Sequence, residues 1–112
     1  MKQRYGKRDA NHNDVVGWYR QLGCSVAETQ DAGLGVPDLF VGCSGVTDPV
    51  EIKTEDGKLK PSQQTFVLSW RGSSTRIVRT QDEVIAHVQD MRRRVRHDAA
   101  ERTARVAEQS GI

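Results

Sequence analysis

The sequence predicts a small α/β sandwich in which helices flank a mixed β-sheet, in the order α-β-β-β-α-β-α. Three observations carry this. Apolar residues recur at helical spacing in three segments, short apolar or alternating runs separate them, and glycine or proline marks most boundaries. A length of 112 residues, with 36% hydrophobic and 29% charged, suits one globular domain around one core.

The first helix is expected over residues 9–22, where Val15, Val16, Tyr19 and Leu22 share a face, Asp9 or Asn11 can cap the start and Gly23 stops it. Residues 24–28 read as a first strand, followed by the loop QDAGLG. Residues 37–41 and 49–54 read as the second and third strands around the turn GCSGVTD, with Pro37 and Pro49 at strand starts, where a missing N–H is tolerated. After the turn Glu55-Asp56-Gly57, Pro61 opens a helix to about residue 71 with the face Gln63, Phe66, Val67 and Trp70. Residues 75–79 alternate as a fourth strand. Thr80 and Glu83 then form a capping box for a last helix whose apolar positions are Val84, Val88, Met91 and Val95. Beyond residue 96 the pattern fades into Arg, Ala and Glu. Residues 1–90 are thus expected to form the domain, and 91–112 a basic helical extension.

No apolar run reaches the roughly 20 residues needed to cross a bilayer, and the start MKQRYGKRDANHND lacks a signal-peptide core, so a cytoplasmic protein without membrane contact is expected. Cys24 and Cys43 are too few for a zinc knuckle and are expected to be reduced. His12, His87 and His97 make no metal-ligand spacing, and His12-Asn13-Asp14 lacks the second histidine of an HNH nuclease.

Charge is unevenly distributed. Residues 1–8 carry Lys2, Arg4, Lys7 and Arg8 with no acid, residues 9–60 carry nine acids against four bases, and residues 90–112 carry six arginines against four acids. An acidic middle between basic ends suits a cation-binding centre with phosphate backbone gripped at its edges, by Lys2, Arg4, Lys7, Arg8, Arg92 and Arg93. The bland alternative is that the arginines solvate a helix.

The stretch GVPDLFVGCSGVTDPVEIK places two acids in strands that otherwise read as core. In an antiparallel hairpin closed by a four-residue loop, residues 43–46, paired residue numbers sum to about 89, so Asp38 faces Glu51. Alternation puts Lys53 on the same side as Glu51. Two facing carboxylates destabilise a sheet unless compensated, and a divalent cation with hard oxygen ligands, Mg²⁺ or Mn²⁺, compensates both. Such a site supports phosphodiester hydrolysis: the metal activates water and polarises phosphate, and the lysine positions water or stabilises charge. A solvated hairpin with a surface salt bridge is the competing reading.

The run GVPDLFVG followed by PVEIKTEDGKLKPSQ resembles the PD-(D/E)XK nuclease superfamily, and within it the small virus-type replication-repair nuclease domains found in phages and larger repair enzymes. The similarity spans about residues 8–90. It implies a restriction-endonuclease-like fold, Asp38 and Glu51 as metal ligands with the Ile52 carbonyl, Lys53 as catalytic lysine and Gln63 as a supporting residue. Asp14 matches a first-helix acid, usually glutamate, as a further metal ligand or a water-mediated one. The implied activity is a magnesium-dependent endonuclease acting on DNA, with branched or Holliday-junction DNA as substrate, a homodimeric assembly and no small-molecule cofactor. The alternative is a non-cleaving module that binds DNA or a partner on the same fold.

Overall fold

The computed structural model describes the backbone of residues 2–111 and the side chains of residues 11–95 and 100–111. It contains helix α1 (Lys2–Gln21), strand β1 (Ser25–Glu28), a 3-10 turn (Gln30–Ala32), β2 (Leu39–Cys43), β3 (Val46–Ile52), α2 (Pro61–Ser69), β4 (Arg76–Val78) and α3 (Gln81–Gln109). The order is the expected α-β-β-β-α-β-α. The four strands form one mixed sheet in spatial order β1-β2-β3-β4, antiparallel except for the parallel pair β3–β4.

Strand alternation gives the sheet two unlike faces. One carries Val26, Leu39, Val41, Val50 and Val78, and packs on Val15, Val16 and Tyr19 of α1 and Val84, Val88 and Met91 of α3. The other carries Asp38, Phe40, Glu51 and Lys53 and meets α2, none of whose residues is buried. The expected apolar face of α2 thus covers the sheet only partly.

Cys24 and Cys43 are buried free thiols in this core. The Ser25–Gly42 register places them opposite each other, and burial together with the neighbouring Cys43 pushes the Cys24 thiol up to about 12.

Several boundaries differ from expectation. Helix α1 begins near the start of the chain, so Asp9 and Asn11 lie inside it rather than at its cap. Its apolar stripe begins only near His12, and no periodic signal marks the first two turns. The hairpin turn is two residues, Ser44 and Gly45, both at positive φ (53° and 92°), with Cys43 and Val46 already paired. Such a turn matches the strand twist, and glycine enters it freely. The longer strands put Pro49 in the middle of β3, not at its start. Counting from the closing pair, Phe40–Pro49 is a non-hydrogen-bonded pair, so the proline nitrogen faces the other edge, where β4 pairs only from Val50 onward. Helix α3 is continuous to Gln109, so the expected boundary at residue 90 falls within it.

Asp48, expected in the turn, is instead a buried residue of β3 facing α3. His87 Nε2 lies 2.7 Å from its Oδ2, Arg94 grips both its oxygens, and the Tyr19 hydroxyl lies 2.7 Å from His87 Nδ1. Burial alone would raise the pKa of Asp48, but hydrogen bonds from His87, Arg94 and Ser73 outweigh it and hold the carboxyl well below the usual range. His12 is likewise buried, 2.9 Å from Glu28 Oε1.

Candidate active site

The hairpin register matches the expected one. Leu39 pairs with Val50 and Phe40 with Pro49, and continuing that ladder by one residue sets Asp38 opposite Glu51. Asp38 is fixed from two sides. Its carbonyl accepts the Thr29 N–H at 2.8 Å, and its Oδ2 accepts the Ile52 N–H at 2.9 Å, replacing a ladder bond where β2 has ended. One carboxylate oxygen therefore accepts from the backbone, and the carboxylate adjoins that of Glu51. Ile52's carbonyl points to the same strand edge as its N–H, beside the Asp38 carboxylate.

Glu51 is 2% exposed. Burial, then the hydrogen bond and charge of the adjoining Asp38 carboxylate, push its pKa up to about 8, with the Lys53 charge pulling the other way. At neutral pH without a cation Glu51 therefore keeps its proton.

Lys53 shares that face but does not neutralise the acids by contact, and no ion pair of Lys53 occurs among the described residues. Its Nζ donates to Gln63 Oε1 at 2.8 Å, and the same oxygen accepts the Lys60 N–H at 2.8 Å. Gln63 thus closes half of a capping box at the start of α2 and holds the lysine. The other half is chemically closed, because a lysine side chain has no acceptor to offer the helix. The lysine strand is also tied to the helical layer, where Asn11 Nδ2 donates to the Lys53 carbonyl at 3.4 Å.

The glycine of the G-x-P-D run has a steric reason. Gly35 has φ of 79°, and a Cβ there would lie 2.2 Å from the Ser62 carbonyl oxygen. The loop before Asp38 thus abuts the first turn of α2, which is what brings Gln63 over Lys53.

Asp38, Glu51, Ile52, Lys53 and Gln63 are therefore brought together. Asp14 is exposed on α1, which packs on the opposite face of the sheet, and among the described residues no group of three His, Cys, Asp or Glu side chains gathers as a metal site. Among the described residues, Asn11 is the α1 residue with a hydrogen bond to the Lys53 strand. Arg92 is spent on the end of α1, donating to the Leu22 carbonyl at 2.6 Å, and Arg93 reaches Asp90 Oδ1 at 3.4 Å. Both stand on α3, in the layer opposite the acids. The side chains of Lys2, Arg4, Lys7 and Arg8 lie outside the described residues. Sequence reasoning missed Asn11. Its only signal is its place one turn before Val15 on the stripe-bearing side of α1.

Comparison with protein-family models, with curated proteins and with solved structures finds no match to this chain.

Proposed function

We propose that this chain is a metal-dependent endonuclease that hydrolyses DNA phosphodiester bonds at Asp38, Glu51 and Lys53. The observation that carries the reading is the uncompensated acid pair, in which a buried glutamate is pushed up to about 8 beside a second carboxylate while the nearest lysine is held elsewhere, on Gln63. A fold gains nothing from that arrangement, whereas a hard divalent cation relieves it.

The Asp38 and Glu51 carboxylates and the Ile52 carbonyl are the donors that would hold Mg²⁺ or Mn²⁺, and a site with few protein ligands and several waters suits magnesium. When bound, the ion supplies Lewis acidity toward phosphate and a more acidic water. The chain's own residues do the rest. Lys53, oriented by Gln63, presents its ammonium group to the attacking water and the phosphate oxygens, where negative charge builds as one P–O ester bond breaks. Selectivity for branched or Holliday-junction DNA and a homodimeric assembly are the finer parts of the proposal, and they rest on the resemblance of G-x-P-D, E-x-K and P-x-Q to the virus-type replication-repair nucleases. Among the described residues no helix is long and apolar enough to cross a membrane.

The test is cleavage of linear duplex, flap and four-way-junction DNA with Mg²⁺, Mn²⁺ or EDTA, beside Lys53→Ala and Asp38→Ala. Cutting that needs the metal and disappears in both variants supports the proposal. Metal-independent cutting, or equal cutting by Lys53→Ala, overturns it, and tight binding without cutting points to the non-cleaving module.

A further inference from the structure

Phe40 follows Asp38 by two residues on β2 and shares its face. On that face Phe66 and Trp70 of α2 stack, with ring centroids 5.0 Å apart and planes at 17°, and Trp70 meets Phe40 edge-on at 6.1 Å. A closed core would bury such a trio, yet Trp70 is 44% exposed. The indole is also held at its rim, because a Cβ at Gly72 would lie 2.7 Å from Trp70 Nε1. The ring is thus packed against Phe66 and the Gly72 backbone with much of its surface open to solvent.

The chain around α2 is cationic. Lys58, Lys60 and Arg71 flank the helix and are exposed, and residues 57–80 contain no acid, whereas Arg76 faces α3 and pairs with Asp90 at 3.1 Å. Stacked, open aromatic rings beside exposed lysine and arginine suit a ligand with flat apolar rings on an anionic backbone. A single strand of nucleic acid has both features.

We propose that Phe66 and Trp70 form a stacking platform for an unpaired nucleobase of the DNA whose phosphate meets Asp38 and Glu51. The inference deepens the nuclease reading and rests on it. Helix α2 sets the spacing: from Gln63 at the lysine to Trp70 is about 10 Å of helical rise, or about three nucleotides of B-form rise along one strand. The stacked base therefore lies a few nucleotides from the cut, and DNA with unpaired bases there is favoured over continuous duplex.

The chain has two tryptophans, Trp18 and Trp70. In a Trp18→Phe protein, Trp70 reports alone. The experiment titrates this protein with oligo-dT and with four-way-junction DNA in EDTA, follows both Trp70 emission and the anisotropy of labelled DNA, and measures cleavage in Mg²⁺. Quenching of Trp70 in step with binding is expected. Trp70→Ala is expected to weaken oligo-dT binding about five- to 150-fold, with Trp70→Phe retaining most of the affinity. Because the quenching is read with Trp70 in place, it holds even if the alanine variant misfolds. DNA that binds and is cut while Trp70 emission stays unchanged overturns the platform and leaves the nuclease reading standing. Absence of both binding and cutting overturns both. Trp70 emission that shifts with protein concentration alone, and not with DNA, makes this face a self-association surface and overturns the platform.

Discussion

Replacing Glu51 with glutamine should separate the stability of this protein from its activity. In the metal-free fold, Glu51 holds its proton up to about pH 8, whereas in the unfolded chain it releases it near 4.5. Between those values the folded state binds more protons than the unfolded state, so stability falls as pH rises and levels off above 8. The interval of about 3.5 units corresponds to at most about 5 kcal/mol at 1.36 kcal/mol per unit. Glutamine keeps the shape, carries no charge and can donate to the Asp38 carboxylate, so this component disappears. Urea unfolding of both proteins at pH 5 and pH 8.5, with EDTA or with Mg²⁺, measures it. Similar midpoints are expected at pH 5. At pH 8.5 in EDTA, Glu51→Gln should be more stable by about 2–5 kcal/mol, and Mg²⁺ should stabilise only the parent. The variant should not cut DNA. A Glu51→Gln protein no more stable than the parent at pH 8.5 in EDTA would refute the claim that the acid pair is uncompensated.

Gly35→Ala brings a Cβ against the Ser62 carbonyl at a positive φ, so α2 must move. A cost of about 1–3 kcal/mol in thermal unfolding is expected, with a larger fractional loss of cleavage because Gln63 and Lys53 part. Asp48→Ala leaves His87 and Arg94 without their shared acceptor and should cost about 3–5 kcal/mol, read by urea unfolding at pH 7. Because Asp48's folded pKa is depressed, the stability it provides is present above its unfolded value of 3.8 and lost as pH falls below it, so the variant's deficit should shrink in acid. Cys24 and Cys43 should resist thiol reagents in the folded protein at pH 8 and react quickly in urea, because both are buried and the Cys24 thiol is pushed up to about 12.

The parts of the fold legible in the sequence were those with a period. The stripe Val15, Val16, Tyr19, the strand alternation around Leu39 and Val50, and the capping pattern Thr80–Glu83 each reflect a repeat that a single core imposes. The hairpin register was legible as well, because apolar pairing and the short glycine turn leave one alignment that buries Val41 and Val50 together. What has no period was not legible. The sequence of the first two turns of α1 carries no apolar stripe, and the last turns of α3, from residue 100 onward, are largely exposed and carry none either. Asp48 looked like a turn residue because aspartate before proline usually is one, and its partners His87 and Arg94 lie about 40 residues away in sequence. Gln63 was legible through its resemblance, but its role was not: only the fold shows that it holds Lys53 and the start of α2 at once.

The comparison of Asp48 with Glu51 bears most directly on function. They stand three residues apart on one strand, and both are 2% exposed. On the helical face, Asp48 receives a histidine and an arginine, and its carboxyl is held low. On the other face, Glu51 receives a second acid, and its carboxyl is held high. The same strand in the same small fold thus supplies full partners to one buried acid and withholds them from its neighbour, although Lys53 is close enough in sequence to serve and is tied instead to Gln63. Environments that drive two carboxyls in opposite directions separate structural work from chemical work. Asp48 holds β3 to α3. Glu51 and Asp38 face each other without such partners, on the one face of the sheet that the helices leave partly open, where the proposed cation would relieve their conflict.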